Sequence, residues 1–269
     1  MNNISMNTFF EKIIFFNNIE STNSELINNE YSDKTLIYTY NQTKGRGRFD
    51  RNWITFKDKA LALSILIKNS NKISINEHFL LTGLLSITCI EFLAKEYNLK
   101  CRIKWPNDIY IKDKKLAGIL TETTYTGKDN FKIVSGIGIN INVTEEELLK
   151  INKKATSLFC ELEKDINIDL FTRKFIKFLS SNFLDFFNDK ISKENIKKKW
   201  IYYCDILNKT VEVKNIYFDN HNFDNHNDIN NLESNFSGKV IDVDDEGFLI
   251  IKSKSKIQKI INGDLIILD

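Results

Sequence analysis

Short apolar runs alternate with amphipathic stretches from Phe9 to about Cys204, and after Asn208 only short apolar runs between turns remain. Leu36 to Tyr40 and Leu61 to Ile67 predict strands, the second nearly all apolar and therefore central. Ile75 to Leu99 predicts a long helix, with apolar residues at mixed three- and four-residue spacing. Four short β segments follow: Arg102 to Trp105, Ile109 to Ile111, Ala117 to Thr124 and Lys132 to Asn142. Two more helices are predicted over Leu170 to Phe187 and Lys193 to Cys204. The expectation is an α+β fold, a mostly antiparallel sheet with helices on one face. Past Asn208, runs at Val211 to Val213, Gly238 to Val243, Phe248 to Lys252 and Leu265 to Leu268 are separated by turns at Asp245-Glu246-Gly247 and Asn262-Gly263-Asp264. They predict a small β barrel. Two domains are therefore expected, 1–207 and 208–269. An Asn- and Asp-rich stretch at about 219–235, carrying His221 and His226, reads as a flexible polar insertion rather than a metal site.

Composition narrows the function classes. The chain has 269 residues, 42% apolar and 28% charged, which suits a soluble protein with one good core and a smaller domain. A net charge of +2 supplies no general polybasic field for nucleic acid or an anionic membrane. Cys89, Cys101, Cys160 and Cys204 lie far apart with no CxxC pair, so reduced thiols in the cytoplasm are expected. Met1 to Phe16 lacks a basic region followed by a long apolar run, and no signal peptide is expected. No segment reads as the roughly 20 apolar residues that span a bilayer.

Against that background one stretch stands out. Arg46, Arg48 and Arg51 are three of the five arginines, in GRGRFDRNW from Gly45 to Trp53, while most other basic residues are lysine. Arginine presents a planar fork that grips phosphate or carboxylate, where lysine offers a point charge. Gly45 and Gly47 widen the backbone's choices, and the flanking strands put the stretch on a loop. The reading is an anion site, with an exposed basic turn as the plain alternative. The only proline, Pro106, lies in KWPNDIY, a rigid corner that can aim Lys104, Asn107 and Asp108. Lys115 opens the strand LAGILTE, where Gly118 leaves room for a ligand or another backbone. Gly136 and Gly138 interrupt SGIGININ, which reads as a flat strand surface under a planar ligand and fails as a dinucleotide fingerprint. Ser21-Thr22-Asn23 can cap a helix beginning near Ser24 or offer hydroxyls to a ligand, with capping the expected role of Asn23.

In order, STN, QTKGRGRFDRNW, KWPNDIY, KLAGIL and GIGININ resemble the biotin protein ligases. The likeness continues weakly through ATSLFCELEKDINIDLFTRKFI, and the final β segment resembles the family's SH3-like domain. The resemblance implies an ATP-dependent ligase that makes biotinyl-5′-adenylate, releases pyrophosphate, and passes biotin to a lysine of a biotin carboxyl carrier protein. ATP with Mg²⁺ would be co-substrate, with no tightly bound prosthetic group. It also implies the site. Ser21, Thr22 and Gln42 would serve the ureido side of biotin, with the backbone of Gly45, Arg46, Gly118 and Gly136. Arg46, Arg48 and Arg51 would offset the repulsion between a carboxylate and a triphosphate. Trp53 would cover the ligands, and Lys104, Asn107 and Asn140 would line the nucleotide side. Lys115 would touch both biotin and phosphate and, with Arg48, supply electrostatic catalysis. Asp108 would lie near Mg²⁺ and both substrates, and would orient or deprotonate the carrier lysine.

Two departures go with the resemblance. Asp50 stands where many members have glycine, and too few residues precede Ser21 for the DNA-binding domain of the repressor-type members, so the monofunctional type is expected. The loop is expected to be partly mobile without ligand, because two glycines and repelling arginines lack a partner. A homodimer stays open. The competing readings are a lipoate ligase or octanoyl transferase of the same fold and, from another class, a nucleic-acid-binding module.

Overall fold

The computed structural model describes residues 8–49, 51–125, 130–151, 154–217, 235–254 and 256–268. Asp50 and, apart from Asn235, the Asn-rich stretch with its two histidines lie outside the described residues. The chain opens with β1 (Lys12–Phe16), α1 (Thr22–Asn28), β2 (Thr35–Thr39), the short strands β3 (Gly45–Arg46) and β4 (Asn52–Trp53), and β5 (Ala60–Lys68). A 3₁₀ turn at Ile75–Glu77 leads into α2 (Phe79–Tyr97). Then come β6 (Arg102–Lys104), β7 (Asp108–Ile111), β8 (Lys114–Tyr125) and β9 (Phe131–Asn140). Four helices follow, α3 (Glu145–Leu149), α4 (Leu158–Leu162), α5 (Ile168–Phe187) and α6 (Lys193–Cys204). The last strands are β10 (Thr210–Tyr217), β11 (Asn235–Val243), β12 (Leu249–Lys252), β13 (Ile257–Ile260) and β14 (Asn262–Ile267).

A seven-stranded sheet in the order β1-β2-β5-β9-β8-β7-β6 forms the frame. It is antiparallel except for the β1–β2 pair. Strand alternation sorts β5 into two sets. Leu61, Leu63, Ile65 and Ile67 join the main core with α2, α5 and α6, while Leu66 joins Leu26 of α1, Ile37 and Val134 in a separate cluster. The three long helices thus cover one face, as expected, and the short α1 packs on the other. The stretch 75–97 has the length and mean hydropathy (1.4) of a membrane span, contrary to the sequence reading, but 78% of its most apolar window is buried inside the fold. It is the central core helix. Phe92 of α2 meets Phe171 and Phe175 of α5 at ring separations of 5.3 and 5.2 Å. Removing a ring buried this way costs about 3–5 kcal/mol.

The C-terminal strands form a five-stranded antiparallel sheet, β13-β12-β11-β10-β14, compatible with the small barrel expected. Its turn at Gly247 lies against the main unit: Trp105 Nε1 donates to Gly247 O at 3.0 Å. A Cβ on Gly247 would fall 2.2 Å from the Phe79 ring, at a φ of +81°. Only glycine meets both demands.

Candidate active site

On the α1 side of the sheet lies a cavity of about 640 Å³. Its floor is made by registry. Ala62 pairs with Gly138, which pairs with Gly118, and Ser64 pairs with Gly136, which pairs with Leu120. The first row is small on all three strands and the second on β5 and β9, so the floor is low there. The expected flat surface is there, but protein groups already lie on it. A Cβ on Gly138 would be 2.3 Å from the Trp53 indole, and one on Gly136 would be 2.0 Å from Asn23 Oδ1.

One end of the cavity is neutral. Ser21 is the N-cap of α1, accepting from Ser24 N, so Asn23 does not cap the helix as expected. Gln42 Oε1 accepts from Thr22 N at 2.8 Å and lies 3.1 Å from Thr22 Oγ1. Ser64 Oγ lies 2.7 Å from Thr22 Oγ1 and 2.6 Å from Asn23 Oδ1. Asn23 Nδ2 donates to Leu120 O and, at 2.9 Å, to Glu122. The side chains of Ser21, Thr22, Asn23, Gln42 and Ser64 are all buried, and the last four hold one another in fixed directions.

The other end is charged. Lys115 Nζ sits 2.6 Å from Asp108 Oδ1 and 5.5 Å from the centre of a Trp53 ring. A β-bulge where β7 meets β8 aims this lysine: Ile109 faces Ala117, yet Tyr110 faces Lys115, so the extra residue Leu116 breaks the alternation. Lys115 and Gly118, three residues apart, then share one face, and a Cβ on Gly118 would be 3.2 Å from Lys115 Nζ. The segment before α4 clamps the Lys115 backbone, with Lys115 N donating to Lys154 O at 3.0 Å and Thr156 N to Lys115 O at 2.8 Å. Asn140 joins this wall by donating to Thr156 O, and its Oδ1 is buried without a partner among the described residues. Lys104 packs 5.3 Å from the Tyr110 ring, and the Asn107 amide is held by Ile119 O.

The arginine loop closes the top. Gly45 and Arg46 pair with Trp53 and Asn52, so the loop is itself a hairpin. Arg46 donates to both oxygens of Glu122, at 2.7 and 2.8 Å, and Arg51 to both oxygens of Asp264, at 3.1 and 3.0 Å. Arg48 pairs with no carboxylate among the described residues; burial pushes its guanidinium below the ordinary range, against the pull of the Asp108 charge. The expectation that the arginines lack partners is thereby corrected: two of the three have one. Among the described residues no group of three or more His, Cys, Asp or Glu is placed to hold a metal.

Residues 15–140 match the family model described as "Biotin/lipoate A/B protein ligase family", a span that holds every side chain at both ends of the cavity just named. Residues 15–140 thus form a domain of this family. It is 26% identical over 247 residues to the bifunctional ligase/repressor BirA of Bacillus spizizenii, covering 91% of this chain and 70% of that protein. It is 29% identical over 145 residues to the biotin–[acetyl-CoA-carboxylase] ligase of Mycobacterium tuberculosis, 51% of each chain. The solved biotin protein ligase of Aquifex aeolicus, in complex with biotin and ATP, superposes with a TM-score of 0.70 at 27% identity, over 96% of this chain and 99% of that one.

The cavity is lined by every sequence-predicted site residue except Gly45, which lies in the hairpin beside it. Four contributors escaped the sequence reading: Ser64, Glu122, the 154–156 segment, and Gly263 to Leu265 from the second sheet. Glu122 carried the one usable signal, a carboxylate four residues past Gly118 on the same strand face. The others come from elements far away in sequence.

Proposed function

We propose that the chain is an ATP-dependent biotin protein ligase. The observation that carries this is one cavity with a pre-set neutral end, fit for an uncharged ureido group, and a charged end where Lys115 and Arg48 face Asp108. Biotin lies in the cavity with its ureido edge toward Ser21, Thr22 and Gln42 and its carboxylate toward Arg48 and Lys115. A carboxylate oxygen forms a bond to the α-phosphorus of ATP as the bond to the β-phosphate bridging oxygen breaks and pyrophosphate leaves. Lys115 and Arg48 stabilise the charge on the phosphoryl oxygens, a role worth roughly 3–4 kcal/mol per donor in a water-poor site. Arg46 and Arg51, each paired with a carboxylate, hold the loop above it. Trp53 covers the adenylate, and Lys104, Asn107 and Asn140 flank the nucleotide, the free carbonyl of Asn140 offering an acceptor to a base amino group.

In the second step the lysine nitrogen of a biotin carboxyl carrier domain attacks the acyl carbon. The acyl–oxygen bond to AMP breaks, and the amine loses its proton to Asp108. Mg²⁺ belongs to the nucleotide substrate: such ions bind through one or two carboxylates plus phosphates, and Asp108, with no group of three or more ligating side chains around it among the described residues, fits that better than a resident site. Residues 1–207 hold the reaction and 208–269 close its far side through Asp264, with the work placed in the cytoplasm.

The test is incubation with biotin, Mg-ATP and a carrier domain, read by the carrier's mass. Gain of one biotinyl group is expected, and pyrophosphate release with lipoate in place of biotin would overturn the reading. Asp108→Asn should slow transfer from preformed adenylate; a normal rate would remove Asp108 from that step.

A further inference from the structure

We propose that Glu122 and Asp264 are positioning residues that fasten the two ends of the arginine loop, through Arg46 and Arg51, so that Arg48 alone is committed to the substrates. The inference rests on the ligase reading only for its kinetic part. Three positive charges within six residues repel one another, each pair by about 1 kcal/mol or more at close range even in water. Two of them are answered. At the first end, one guanidinium nitrogen of Arg46 reaches both oxygens of Glu122. The same carboxylate takes Asn23 Nδ2 at 2.9 Å, which ties the loop to the neutral end of the cavity. At the other end, one nitrogen of Arg51 reaches both oxygens of Asp264, on β14 of the second sheet.

Between these anchors the chain folds back. Gly47 N donates to Arg51 O at 2.6 Å and Arg51 N to Arg48 O at 3.2 Å, with Phe49 at a φ of +55°. Arg48 at this tip lines the cavity and has no carboxylate partner among the described residues. Neither anchoring carboxylate engages it, which leaves it at the cavity for an incoming anion. Both anchoring pairs are partly exposed, Arg46 at 43% and Arg51 at 54% of the side chain, and such pairs add little to global stability. Their effect is on where the loop sits.

Phe49 is 46% exposed at the loop tip, so chymotryptic cleavage after it reads the fastening with no substrate present. Glu122→Ala and Asp264→Ala should each speed cleavage about tenfold or more at an unchanged melting temperature. Arg46→Gln and Arg51→Gln should do the same, and Arg48→Gln should leave cleavage slow. The reciprocal pair Arg46→Glu with Glu122→Arg should restore slow cleavage. In adenylate formation, Glu122→Ala should lower kcat/KM by about ten- to a hundredfold, the cost of a misplaced group, while Arg48→Gln should lower it further. Cleavage unchanged in both alanine variants, or not restored by the exchange, would overturn the proposal. If the wild-type protein made no adenylate, the ligase reading would fail while the cleavage comparison still judged the anchors.

Discussion

The two ends of the cavity are built by opposite means. At the neutral end, Thr22, Asn23, Gln42 and Ser64 are buried and satisfy one another. At the charged end, Lys115 is paired with Asp108, but Arg48 has no carboxylate partner among the described residues and Asn140 Oδ1 has no partner there. A group meant to recognise an uncharged polar edge must be fixed before the ligand arrives, or its ordering entropy weakens binding. Groups meant to stabilise developing charge need open capacity that only the reacting phosphate fills. Preorganisation and reserve are thus separated within one pocket.

Four perturbations would break or sharpen this contrast. The largest effect is expected from Lys115→Met, which should lower adenylate formation by about 10³-fold and leave biotin binding by the neutral end measurable by calorimetry. Gly138→Ala comes next. A Cβ there would be 2.3 Å from the Trp53 indole, so the ring must shift, and activity should fall about a hundredfold with quenched or shifted tryptophan fluorescence. Thr22→Val removes a hydroxyl from a closed set of bonds, and KM for biotin should rise about tenfold, the cost of one unsatisfied buried group, with kcat little changed. A large fall in kcat instead would place chemistry at the neutral end.

The smallest effect concerns the far end of α1. Buried Lys132 donates to Asn29 O at 3.2 Å and to Glu30 at 2.7 Å. Hydrogen bonds from Lys132, then Lys68, lower the Glu30 carboxyl from 4.5 to about 2. Its folded pKa is depressed, so the stabilisation is present above about pH 4.5 and is lost as pH falls toward 2. Melting curves of the wild type and Glu30→Gln should differ at neutral pH and converge at low pH; a constant gap would mean that the pair does not titrate.

Much of the frame was legible because periodicity and burial coincide. The predicted helix 193–204 matches α6 (Lys193–Cys204), and the apolar run over Leu61 to Ile67 lies in β5, buried in all but its last residue. Short elements without a periodic signal, such as β3, β4 and α3, were not read, since two to five residues carry too little pattern. Ser21-Thr22-Asn23 announced a helix start, but the spacing could not tell which residue capped it.

The sequence by itself determined the chemistry on offer: clustered arginines, a proline-bearing corner, Lys115, and glycines on two strands. Those are local properties of residue type and spacing. Tertiary structure alone decided their division of labour. A bulge at Leu116 turned Lys115 onto the face of Gly118, strand register stacked Ala62, Gly138 and Gly118 into one floor, and Glu122 and Asp264 claimed two arginines from positions 76 and 213 residues away. Such pairings depend on how strands align and sheets dock, which no local pattern of residues encodes.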